Sequence, residues 1–220
     1  MNTLKAQWLR ITVHVGSLIP LAVLVWSYSH GQLTADPIRG IILRTGKTAL
    51  ILLILSLACT PANSLFGFKP ALKVRRALGL YAFLYAAIHL SVFVGLDYSF
   101  DPALLRDALL EKRYALVGLA AFTILLPLAI TSTRGWMKRL GQTWKRLHQW
   151  VYLAALLVIV HFVWLVKADI REPLMYGAVV VALLVFRIPR IRKWVSRIRN
   201  EPRHFQHGSF ITRNVKHLPQ

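Results

Sequence analysis

The sequence predicts an all-α protein, a polytopic membrane bundle of six transmembrane helices with both termini in the cytoplasm. Three observations carry this prediction. The chain of 220 residues is 56% hydrophobic and only 16% charged, with a mean hydropathy of +0.51, too apolar for an ordinary soluble domain. Apolar runs near the length of about 20 residues that a bilayer core of ~30 Å demands recur along it. Finally, the charges fall between and after these runs, and mostly on one side.

The first run, near 9–28, follows a basic start and lacks an Ala-x-Ala cleavage site, so it reads as a retained span rather than a signal peptide. The second, near 42–60, is interrupted by Gly46 and Thr48, and the third covers 75–95. The fourth and fifth lie near 114–131 and 148–166, and a short sixth near 174–188. Linkers are brief, and no internal repeat or low-complexity tract is apparent. The expected division is a membrane domain over 8–190 and a basic cytoplasmic tail over 191–220.

Orientation follows from charge. With the N-terminus inside, the cytoplasmic segments hold 20 of the 28 basic residues and one of the eight acids, Glu201. The positive-inside rule therefore places both termini in the cytoplasm. The net charge of +20 is juxtamembrane, so it points to anionic lipid or an acidic cytoplasmic partner rather than to nucleic acid. Cys59 is the only cysteine, which excludes a disulfide framework and Cys-based zinc or iron–sulfur sites. It reads as a small buried residue. No phosphate loop and no H-E-x-x-H motif is present, and no span holds an acid/base pair. Trp26, Trp144, Trp150, Trp164 and Tyr98 fall near span ends and read as an interfacial aromatic belt.

Four histidines lie inside spans: His14, His89, His148 and His161. Ionisable groups at such depth are costly and usually face a partner in the bundle interior. His89 lies 14 residues into the third span and His161 lies 13 into the fifth, each about 20 Å deep at 1.5 Å per residue. Both helices run in one direction, so the two imidazoles share one level near the outer face. A b-type haem (heme b) needs two such imidazoles on neighbouring helices. His148 stands at the inner level, where the third span offers Arg75 and Arg76 instead of a histidine. Three readings stay open there. An arginine could ligate iron or pair with haem propionates, His14 could supply the ligand, or the inner haem is absent. Helical phase adds a constraint, because 13 residues leave His148 and His161 roughly 140° apart on a straight helix. His148 must precede the regular helix, or the helix must kink.

The segments RRALGLYAFLYAAIHL and TSTRGWMKRLGQTWKRLHQWVYLAALLVIVHFVW, with GQLTADPIRGIILRTGKTAL before them, resemble the MsrQ family. Those are haem-binding membrane subunits of the bacterial MsrPQ methionine-sulfoxide reductase system, within the ferric-reductase-like transmembrane superfamily. The resemblance runs from about residue 8 to 200. It implies a multi-pass protein of the bacterial inner membrane, an electron-transfer subunit without catalytic residues of its own. Electrons would pass from the quinone pool or a cytoplasmic flavin reductase, through one or two b haems, to a periplasmic molybdopterin partner, MsrP. By the motif match, His89, His148 and His161 correspond to the family's haem histidines. The resemblance also implies FMN, whose phosphate basic loops bearing Arg134 and Lys138 could hold. The alternatives are a stand-alone haem ferric-chelate reductase and a haem-free transporter or scaffold.

Overall fold

The computed structural model describes residues 2–166 and 169–188, with side chains from Gln7 onward. Among these residues the secondary structure is helical throughout. In order come α1 (Asn2–Ser29), α2 (Pro37–Phe66), α3 (Pro70–Val92) with a π-helical turn at Phe93–Asp97, and α4 (Pro102–Glu111). There follow α5 (Arg113–Ile130), α6 (Arg134–Leu140), α7 (Gln142–Gln149), α8 (Val151–Leu165) and α9 (Arg171–Val185). The tail over 191–220 lies outside the described residues.

Local chemistry sets these boundaries. Asp36 caps α2 by accepting the Arg39 amide at 3.0 Å, with Pro37 as the first helical residue, a position that needs no amide donor. Gly67 ends α2 at φ 68°, in the left-handed region where a side chain is strained. Asp101 and Thr133 cap α4 and α6 in the same way as Asp36. Within α2 the predicted interruption at Thr48 is absorbed, because its hydroxyl donates to the Arg44 carbonyl one turn back at 2.8 Å. At the outer end, Lys112 donates to the Tyr98 hydroxyl, which holds its ammonium above the ordinary lysine pKa.

Five helical stretches are long and apolar enough to cross a membrane: Gln7–Ser29, Pro37–Phe66, Pro70–Asp97, Arg113–Ile130 and Gln142–Leu165. The sixth expected span coincides with α9, whose 15 residues reach only about 22 Å at 1.5 Å per residue. α2 is the centre of the bundle: 39% of its most apolar window is buried, against 11–17% in the other four. Outward side chains are themselves apolar, among them Ile19, Val23, Leu55, Val160 and Val181. That inside-out pattern suits a hydrocarbon solvent. The interior is tight and small, with Ala82, Ala154, Ala155 and Val180 at 2% exposure or less, as close helix approach in lipid requires. Tyr85 is equally buried, and its hydroxyl donates to the Ser17 carbonyl at 2.7 Å, tying α3 to α1. Cys59 is buried and donates to the Leu55 carbonyl.

The fifth run is not one helix. α7 ends at Gln149 and α8 begins at Val151, and the Trp150 amide bonds three residues back to Leu147 at 3.1 Å. Such a 3₁₀-type turn winds faster than an α-helix, so it changes the phase between His148 and His161. The straight helix on which the two histidines would face apart is thus interrupted between them.

Candidate functional site

At the outer level, α3 and α8 bring His89 and His161 together. Their ring centroids are 6.2 Å apart and the ring planes cross at 89°. Each ring is fixed from behind. The Nδ1 of His89 lies 2.9 Å from the Ile42 carbonyl on α2, and that of His161 lies 2.7 Å from the Tyr114 carbonyl on α5. A carbonyl only accepts, so both Nδ1 atoms carry the proton and donate. The lone pair of each ring is therefore on Nε2, the form in which a histidine binds metal while its other nitrogen is oriented by a hydrogen bond.

The donor set restricts what could bind there. Among the described residues no three His, Cys, Asp or Glu side chains converge, so a bare ion wanting three or four protein ligands has no site. Two imidazoles suit a metal whose remaining ligands come from a macrocycle. With metal–nitrogen bonds of ~2 Å on both sides, coaxial imidazole centroids stand about 6 Å apart, which matches the observed spacing.

The inner level is organised differently. His148 on α7 donates from Nδ1 to the Trp144 carbonyl at 3.1 Å. Its Nε2 lies 3.3 Å from the Ser132 hydroxyl, but that hydroxyl gives its one proton to the Leu128 carbonyl at 2.7 Å. The Nε2 lone pair is thus unclaimed by a hydrogen bond to Ser132. The indole of Trp144 stacks on the imidazole with centroids 3.9 Å apart and donates to the Thr131 carbonyl at 2.9 Å. Trp144 therefore packs on the site, where the sequence suggested only an interfacial belt.

Arg75 and Arg76 diverge, as neighbours on a helix must. Arg75 turns inward to the Thr60 hydroxyl at 3.4 Å and lies within electrostatic reach of Arg187 and of the His148 ring. Arg187, just beyond α9, donates to the Tyr152 hydroxyl at 2.6 Å and to the Leu57 carbonyl at 2.7 Å, and stands over the Tyr152 ring. Its Nε is buried with no hydrogen-bond partner among the described residues. Sequence reasoning missed Arg187, which it counted only among the 20 basic residues of the cytoplasmic side. Arg76 instead lines a cleft of about 510 Å³ between α1, α3 and α6, together with Arg10, Lys73 and Arg134. His14 lines the same cleft and bonds to the Tyr81 hydroxyl at 2.9 Å. Lys138, the other residue proposed for a phosphate, does not line it.

Comparison with known proteins adds to this geometry. A family profile described as ferric reductase like transmembrane component matches residues 45–159. A protein-methionine-sulfoxide reductase heme-binding subunit MsrQ from Xanthomonas axonopodis pv. citri (strain 306) is 44% identical over 182 residues, covering 80% of this chain and 84% of its own. The protein of that name from Xanthomonas campestris pv. campestris (strain 8004) is 42% identical over 201 residues, or 89% and 91% of the two chains. The one from Caulobacter vibrioides is 41% identical over 186 residues, or 84% and 89%.

Proposed function

Because the chain belongs to the MsrQ family of ferric-reductase-like transmembrane components, we propose that it is the haem-binding electron-transfer subunit of a methionine-sulfoxide reductase system in the bacterial inner membrane. The observation that carries this reading is the His89–His161 pair, with both Nδ1 protons committed to carbonyls and a centroid spacing suited to two axial ligands. The bound group would supply one-electron reduction and reoxidation of its iron. The chain's own residues do the rest. His89 and His161 would hold the group through Nε2, the Ile42 and Tyr114 carbonyls fix the imidazole tautomer, and the apolar bundle would keep water from the site.

At the inner level, His148 would hold a second haem b through Nε2, and Arg75 and Arg187 would meet its propionates with charge-assisted hydrogen bonds. The two guanidiniums lie within electrostatic reach of one another with no carboxylate paired to either among the described residues, which supports an anion between or beside them. Arg76 takes a different role from Arg75. The basic cleft around Arg10, Lys73, Arg76 and Arg134 suits the phosphate of FMN. Arg134→Ala is expected to lower the FMN that copurifies with the protein while leaving the haem spectrum intact. Unchanged FMN would remove this cleft from the reading.

Electrons enter at the cytoplasmic side, from the quinone pool or a flavin reductase, and leave at the outer level toward a periplasmic molybdopterin subunit, MsrP. That partner needs two electrons and two protons per sulfoxide, releasing the thioether and one water. The direction rests on an N-terminus inside, with the basic loops after the second and fourth spans on the same side. In proteoliposomes with a flavin donor enclosed, the reductase added outside should reduce methionine sulfoxide only when this protein is oriented with its basic loops in the lumen. Turnover in either orientation would overturn the topology. A ferric chelate reduced equally well with the reductase left out would favour a stand-alone reductase.

A further inference from the structure

The outer site has an internal symmetry absent from any reading of the sequence by composition. Each histidine bonds to a carbonyl 47 residues before it, His89 to Ile42 and His161 to Tyr114. Each ring also lies against a glycine one helical turn beyond that carbonyl, Gly46 for His89 and Gly118 for His161. All three members are shifted by 72 residues between the halves: 42 to 114, 46 to 118 and 89 to 161. The same shift carries α3, beginning at Pro70, onto α7 and α8, beginning at Gln142, and the buried Ala82 onto the buried Ala154. A repeat is therefore present after all, built from the helix pairs α2–α3 and α5–α8.

The glycines have a physical reason to be where they are. In an α-helix the carbonyl of residue i points toward residue i+4, so a ring docked on that oxygen lies over the i+4 side chain position. A Cβ at Gly118 would stand 2.7 Å from His161 Nδ1 and 2.9 Å from its Cε1, closer than non-bonded atoms pack. At Gly46 the corresponding distances to His89 are 3.0 and 3.1 Å. Neither ring can simply retreat, because Nδ1 is held by its carbonyl and Nε2 would be held by the bound group.

We propose that Gly46 and Gly118 are positioning residues that set the planes of the two axial imidazoles, and that the paired carbonyl-and-glycine seats hold those planes perpendicular. This rests on the haem reading above and goes beyond it. The crossing angle of axial imidazoles governs the g anisotropy of a low-spin ferric haem, which is greatest when the planes are perpendicular. A Cβ that turns either ring away from 89° therefore lowers that anisotropy.

The test is EPR and redox titration of the purified protein. Gly118→Ala should show a smaller g anisotropy and a displaced midpoint potential for the outer haem. Gly46→Ala should move both in the same sense by less. Gly177→Ala is the packing control, because its Cβ would press on Ile159 at 3.1 Å and on no histidine. It should give the wild-type signal. If Gly118→Ala protein does not accumulate, the milder Gly46→Ala carries the test. Wild-type EPR and potential in the glycine variants, or an equal change in Gly177→Ala, would overturn the positioning role while leaving the haem reading intact. Wild-type protein from haem-replete cells that lacks haem would sink both.

Discussion

Replacing His161 with alanine is expected to strip the purified protein of its outer low-spin b-type haem, and His89→Ala should do the same. On the proposed reading the two histidines are equivalent, since each would supply one ligand and no third His, Cys, Asp or Glu joins them among the described residues. The substitution also removes the ring's hydrogen bond to the Tyr114 carbonyl, worth about 0.5–1.5 kcal/mol, since that carbonyl keeps its helical bond within α5. His148→Ala should behave differently. If His148 holds a second haem as proposed, its loss should remove only that inner share while the outer signal persists. The measurement is haem per polypeptide by pyridine haemochrome, read beside low-temperature absorption spectra. Full haem content in His161→Ala would break the assignment of the outer site.

The second large effect is expected at Arg187. Its guanidinium joins the end of α9 to the Tyr152 hydroxyl on α8 and the Leu57 carbonyl on α2. Hydrogen bonds to a charged group are worth roughly 1.5–3 kcal/mol each. Arg187→Ala should therefore destabilise the bundle by about 3 kcal/mol, and leave a buried carbonyl and hydroxyl to find water. Arg187→Lys should recover part of this, because an ammonium cannot span both acceptors with the fork geometry of a guanidinium. Thermal unfolding in detergent is the readout. An alanine variant that melts with the wild type would show that α9 docks without this clamp.

Much of the fold was legible because a membrane simplifies the problem. Span length and charge asymmetry are one-dimensional signals, and depth along a helix is simple counting. Depth paired His89 with His161, and phase foretold that His148 and His161 could not share a straight helix. The break at Trp150 is where that prediction is met. What stayed hidden depends on three dimensions. Arg187 meets Leu57 across 130 residues, and nothing in the sequence around it marks that contact. Trp144 resembles any interfacial tryptophan until its ring is seen on His148. The glycine seats lie 43 residues from the rings they touch, and apolar residues around them interchange freely enough to blur the repeat. α9 falls between categories, since 15 residues are too few to cross an ordinary bilayer unaided.

The constant shift of 72 residues has a consequence for synthesis. The helix pair that carries His89 is complete long before the one that carries His161 leaves the ribosome, so for that interval the membrane holds half a binding site. One imidazole and one carbonyl seat cannot clamp a metal from both faces. Haem capture would therefore come late, once α8 has brought His161 beside His89, so that haem supply and folding would meet at a single step near the end of assembly.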